Sequence, residues 1–331
     1  IQKKAHVTRV IFEGKRAVGV KYIQKGQTKT VHARAEVILS GGAINSPQLL
    51  QLSGIGPGKL LQSHNINIVH VSHHVGKNLQ DHLGSDIYYH ANVPTLNQEL
   101  NPMFGKLRAG LKYIFTRKGP LSLSLNQGGG FIQIDPNASG PDLQLYFSPV
   151  SYTRAPAGVR PLMNPDPFPG FLMGFNPCKP TSVGNIQISS TDPMLPPKIY
   201  SNYLDTDYDK KMMIEGIRLI RRIANAPALN SIIKDELAPG DGIKSENDIA
   251  KYIRQKAWSV FHPCSTCRMG NNPNISVVDP KLRVYGVDNL RVVDASIFPT
   301  IPTGNINAPS IMVGEYASDI ILKDARNQKG L

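Results

Sequence analysis

The chain has 331 residues, 40% hydrophobic and 18% charged, with 29 glycines and 26 prolines. Glycine and proline make up about one residue in six, below the roughly 25–30% of low-complexity disorder, so the composition is that of a globular protein with room for one large core or two smaller ones. No apolar run reaches the roughly 18 residues of a membrane-spanning helix, and three cysteines are too few for a disulfide scaffold. The net charge of +13 invites a nucleic-acid reading, but the cations are scattered, as in Lys3, Lys4, Arg9, Lys15, Arg16 and Lys21. The densest cluster, Arg218, Arg221 and Arg222, lies opposite an apolar stripe, reads as a solvated face and has no interleaved aromatics. A basic surface with weak attraction to anionic surfaces is expected, and no nucleic-acid partner. The chain starts at Ile1 and enters a strand pattern at once with no signal-peptide pattern, as expected of a processed chain or of part of a longer protein.

Val7 to Phe12 and Ala17 to Ile23 are β-rich runs around "EGKR" and predict a hairpin. Thr30 to Ser40 is a further extended stretch, broken by Gly41 and Gly42. Ser46 as N-cap and Pro47 as first residue predict a helix that "SGIG" stops. Asp142 to Pro149 and Gly184 to Ser190 read as strands. Tyr152 to Gly170 carries Pro156, Pro161, Pro165, Pro167 and Pro169 and reads as a long loop, either a lid or a plain covering segment. Met213, Ile217, Ile220 and Ala224 recur at helical spacing, and Ser245 with Asp248 predicts a second helix start. The segment "NLRVVDASIF" reads as a strand and "PTIPTGNI" as a loop. A helix begins near Asn307, with Pro309 in its first turn and Ile311, Met312 and Tyr316 following. The whole reads as α/β, with no internal repeat.

Cys264 and Cys267 form a C-x-x-C without the further ligands of a zinc site and without the strand–helix context of a redox motif, so a packed turn is expected and no metal site. The nine histidines read as surface or satisfied core residues. The chain contains no G-x-G-x-x-G, no P-loop and no G-x-S-x-G, so pattern alone names no reaction.

Four ordered segments carry more. "GGAINSPQLLQLSGIGP" resembles the second signature of the glucose–methanol–choline (GMC) family of FAD-dependent oxidoreductases. "VGKNLQDH", "FHPCSTCRMG" and "VVDPKLRVYGVDNLRVVDASIFPTIPTGNINAPSIMVGEYASDIIL" are similar to family segments in the same order. The resemblance runs from the first strands to about Leu322, is weakest in the middle, and in style is nearest the insect glucose dehydrogenase-like members. It implies an incomplete Rossmann-type FAD-binding domain, residues 1–85 and 258–331, interwoven with a substrate domain, residues 86–257, built on a mainly antiparallel sheet.

The resemblance also implies roles. His262 and Asn305 match the two active-site positions. Val7, Gly41, Gly42, Asp294, Ala295, Asn305 and Ile306 match positions beside the FAD. The expected reaction is oxidation of an alcohol or sugar CH–OH group. Histidine suits a base working near neutral pH, and an uncharged amide suits a donor to the oxygen on which charge builds. The expected partners are that small-molecule donor and a quinone-like or oxygen acceptor. Family members open with a glycine-rich nucleotide loop that this sequence does not contain, so it looks like a C-terminal fragment whose own hold on FAD is weak. An oxidase of the same family, including a steroid-alcohol oxidase, and a non-catalytic truncated paralogue are the rival readings. Many relatives have glycine at the place of Ser265. Sequons at Asn137 and Asn274, with the insect-like style, point to a secreted protein.

Overall fold

The computed structural model describes residues 1–152 and 164–328. The part of the proline-rich loop holding Pro156 and Pro161, expected to be a lid or a plain covering segment, lies outside the described residues. The chain divides into two compact units: Ile1–Asp81, Pro180–Asp205 and the segment from Phe261 onward form the first, and His82–Lys179 with Thr206–Val260 the second. The architecture mixes helices with largely antiparallel sheets.

In the first unit, strands Ala5–Glu13, Arg16–Gln24 and Gln27–His32 form an antiparallel meander. The predicted hairpin turns through Gly14 at φ +59°, where a residue without Cβ is unstrained. The stretch from Thr30 to Ser40 is two elements, because Val37–Leu39 leaves the meander and pairs in parallel with Leu290–Val292. Val37, Leu39, Leu290 and Val292 are buried in one apolar cluster with Leu50, Ile55, Val278 and Val313. Ile38, which points to the other side of its strand, is exposed.

The helix at the glycine pair spans Gly42–Leu52 and is capped by Gly41, five residues before the expected Ser46, and Pro47 lies inside it. Proline removes the N–H that would bond the carbonyl four residues back, that of Ala43. The buried Thr266 hydroxyl donates to that oxygen at 2.6 Å and replaces the lost bond. Ser46 turns back instead, accepting from Gly41 N at 3.0 Å and donating to Asp294 at 2.5 Å. A local cap signal was thus used for a long-range tie.

The expected middle segment 86–257 is interrupted in the structure. Gly184–Gln187 pairs with Lys77–Leu79 and Lys198–Tyr200, and the buried Gln51 amide donates to Ile186 O at 3.0 Å while accepting from Ile188 N at 2.8 Å. These bonds hold residues 180–205 in the first unit.

The second unit is built on an antiparallel sheet in the order Ile233–Ala238, Leu83–Ala91, Gly170–Pro177, Leu143–Ser148, Gly128–Ile132. Helix Asp207–Ala224 lies on it, burying Met213, Ile217, Ile220 and Ala224 at the predicted spacing. Gly216 is required there, since a Cβ would stand 2.1 Å from the Phe175 ring. Arg221 departs from the solvated face expected of it. Its guanidinium donates to both Glu236 oxygens, at 3.0 and 2.7 Å, and ties the helix to the edge strand. Helix Glu246–Lys256 starts at Ser245 as predicted, with Ser245 Oγ accepting from Asp248 N.

Thr266→Val should destabilise the chain by about 1–3 kcal/mol, because it leaves a buried carbonyl unpaired. Adding Pro47→Ala restores an N–H to that carbonyl and should recover most of the loss. Urea unfolding of the single and double variants checks this. Arg221→Ala should cost about 2–3 kcal/mol through the lost charge-assisted bonds, read the same way.

Candidate active site

Gln80 and Asp81, at the end of the "VGKNLQDH" segment, frame the site. Gln80 and Cys264 exchange backbone bonds at 3.2 and 2.9 Å. The Gln80 side chain accepts from Ile301 N at 3.0 Å through Oε1 and donates to Pro180 O at 2.9 Å through Nε2. It therefore touches both the histidine-bearing segment and the loop that leads to Asn305. Asp81 Oδ1 accepts the backbone N–H of His262 at 2.8 Å, and Oδ2 accepts the Tyr203 hydroxyl.

The opposite side of the histidine segment is stitched to the turn after strand Leu290–Val292. Ser265 N donates to Ala295 O, Cys267 N to Ser296 O and Met269 N to Ile297 O, at 3.3, 2.9 and 2.7 Å. The segment bends sharply to make these bonds, with Phe261 at φ +61° and Ser265 at φ +71°. A left-handed position explains why glycine suits the place of Ser265. Cys264 and Cys267 are buried, and burial pushes the Cys264 thiol up to about 12 and the Cys267 thiol well above its ordinary value, so both stay protonated in a packed turn.

Within this frame the Asn305 amide nitrogen lies 3.1 Å from His262 Nε2, across 43 residues of sequence. As oriented, the amide donates and Nε2 carries the lone pair. His262 is buried, which lowers its pKa below the ordinary 6.5, and the Asp81 carboxylate pulls partly the other way. The imidazole is therefore neutral at pH 7. Asn305 precedes helix Asn307–Gln328, which begins where the sequence places it, with Ser310 N bonding Ile306 O at 2.9 Å.

The residues matched to cofactor positions fall in three places. Val7 and Gly41 line a cleft of about 570 Å³, walled also by Val37, Leu39 and Leu49. That volume lies within the range of small-molecule sites. Gly42, at φ +78°, donates its N–H to Asp294 Oδ2 at 2.9 Å, while Asp294 Oδ1 accepts from Ser296 N at 2.8 Å. With Ser46 as a third donor, that carboxylate is occupied in joining the helix start to the strand end. A cofactor contact at Asp294 and Ala295 is left to their backbone. Asn305 and Ile306 stand with His262. An apolar cleft wall, a glycine turn at a helix start and a neutral imidazole–amide pair are each of a chemistry that could meet a part of a flavin dinucleotide. The glycine-rich phosphate loop is the part this sequence does not supply.

Sequence reading gave no role to Gln80, Asp81, Tyr203 or Thr266. The "LQDH" motif pointed at the first two, whereas nothing local marked Tyr203.

The fold is that of a GMC oxidoreductase. Models of that family match residues 1–84 and 180–314, and the chain belongs to the family. It is 42% identical to an alcohol dehydrogenase [acceptor] of Pseudomonas putida, covering 97% of this chain and 57% of that protein. It is also 42% identical to human mitochondrial choline dehydrogenase, covering 95% and 52%. The chain thus spans little more than half the length of these relatives. Formate oxidase of Aspergillus oryzae superposes with a TM-score of 0.89 at 27% identity, over 98% of this chain and 60% of that one. An FAD-dependent oxidoreductase of Chaetomium thermophilum superposes with a TM-score of 0.87 at 25% identity, over 98% and 62%. The family's cofactor is FAD.

Because the Asp81 charge raises the His262 pKa, Asp81→Asn should lower it further below 6.5. Imidazole NMR titration of the two proteins reads the shift, and a rise in the variant would contradict the assignment.

Proposed function

We propose that this chain carries the active-site pair of an FAD-dependent dehydrogenase that oxidises the CH–OH group of a small alcohol, with sugars such as glucose among the candidate donors. The observation that carries this reading is the 3.1 Å approach of Asn305 Nδ2 to His262 Nε2. The alcohol and choline dehydrogenases among its relatives support the donor class.

When bound, FAD supplies the acceptor for the hydride leaving the carbinol carbon. The chain's own residues handle the oxygen. An alcohol oxygen within reach of both side chains gives its proton to His262 Nε2, which burial keeps unprotonated at neutral pH. Asn305 donates a hydrogen bond to the same oxygen. As the C–H bond breaks, negative charge grows there, and a fixed neutral donor lowers the barrier without competing for the proton. The product is the carbonyl compound, and the electron pair passes to an external acceptor, quinone-like or oxygen. Val7 would meet the adenosine portion of the cofactor, Gly41 and Gly42 would form a close-approach turn beside it, and the backbone of Asp294 and Ala295 would face its diphosphate. The exposed sequon residues Asn137 and Asn274 support a secreted location as part of the same proposal.

The missing glycine-rich loop favours a second reading for the isolated chain, in which it is inert alone. Purified by itself, it should carry far less than one flavin per chain by absorbance. A stoichiometric yellow protein would contradict this. In the enzyme completed by that loop, His262→Ala should slow anaerobic flavin reduction by about 100- to 10,000-fold. The wild-type rate should fall as pH drops below 6.5, because protonation removes the base. Stopped-flow absorbance reads both, and an unchanged rate in the variant would remove the assigned role.

A further inference from the structure

We propose that helix Met103–Thr116 of the second unit is an interfacial anchor that lies flat on an anionic lipid surface. The helix is attached by a narrow strip of small residues. Ala109 is buried, and Gly105 sits so close to its neighbour that a Cβ there would fall 1.8 Å from the Glu99 carbonyl oxygen. Most of its other side chains face outward, with Lys106 and Tyr113 half-buried. Phe104, Leu107, Leu111, Ile114 and Phe115 recur at spacings of three and four, so they share one face. They are 76, 58, 44, 62 and 81% exposed, an apolar stripe of the kind that ordinary surfaces do not leave bare.

Charge decides the occupant. Between Asn101 and Ile134 the sequence holds five cations, Lys106, Arg108, Lys112, Arg117 and Lys118, and no acidic residue. Arg108 and Lys112 flank one side of the stripe and Lys106 the other. A second copy docking through this face would bring like charges together, and the whole chain at +13 adds to that repulsion. Apolar side chains bordered by lysine and arginine match the acyl–headgroup boundary of a bilayer bearing negative lipid. At 14 residues the helix is too short to span, and among the described residues no helix is long and apolar enough to do so. It would rest in the interface and hold the enzyme beside membrane-dissolved substrates or acceptors.

The test is co-sedimentation of the 331-residue chain with large vesicles of phosphatidylcholine, alone or with about one-third phosphatidylglycerol, at low and high salt. The proposal expects binding at least about tenfold tighter to the anionic vesicles, weakened by salt. Phe104→Glu with Phe115→Glu should abolish binding with the melting temperature unchanged, since both residues are exposed. Lys106→Gln, Arg108→Gln and Lys112→Gln together should erase the preference for anionic lipid while leaving the apolar face intact. Absence of wild-type binding, or equal binding by the glutamate variant, would overturn the proposal. So would a wild-type dimer that the glutamate variant breaks without any vesicle binding, which would make the face a self-interface.

Discussion

The carboxylate of Asp81 holds the backbone N–H of His262 with one oxygen and the hydroxyl of Tyr203 with the other. That grip sets where the imidazole stands, because the peptide plane is fixed before the side chain leaves it. Its neighbour Gln80 adds the second constraint by bonding both Cys264 and Ile301. Two consecutive residues therefore fix both approaches to the His262–Asn305 pair. The same carboxylate tunes what it positions. Its charge offsets part of the burial that lowers the His262 pKa, so it keeps the base from becoming too weak to accept a proton.

A second set of ties anchors this frame to the nucleotide side of the unit. Thr266, one residue beyond the left-handed Ser265, closes the bond that Pro47 leaves open in helix Gly42–Leu52. Asp294 draws the glycine turn, Ser46 and Ser296 onto one carboxylate. Histidine segment, helix start and strand end are thus held by shared hydrogen bonds, buried at Thr266 and half-buried at Asp294. A change at any one of them is felt at the others, since an unmatched partner in a buried site is costly.

Elements with a period were legible in the sequence. The hairpin around Gly14, the helix through Met213 and Ile217 and the start at Asn307 follow from alternation, helical spacing and capping chemistry. Strand Gly170–Pro177 was not identified, because it is buried on both faces and shows no alternation, and Leu83–Ala91 was not identified because only its second half, at Tyr88 and His90, alternates between buried and half-buried. Ser46–Pro47 misled as a helix start because its local signal serves a long-range tie. Arg221 misled in the same way, since nothing on its own helix foretells Glu236. The candidate pair came from family resemblance alone. No spacing rule joins residues 43 apart, and only the closure of the first unit makes them neighbours.

The central claim is that His262 and Asn305 act as one device on one substrate oxygen. A double-mutant cycle of anaerobic flavin reduction in the completed enzyme tests it most directly, using His262→Ala, Asn305→Ala and both together. Groups that share an oxygen predict strong non-additivity, with the double variant little slower than the slower single one. Losses that simply multiply would show two independent residues and contradict the account.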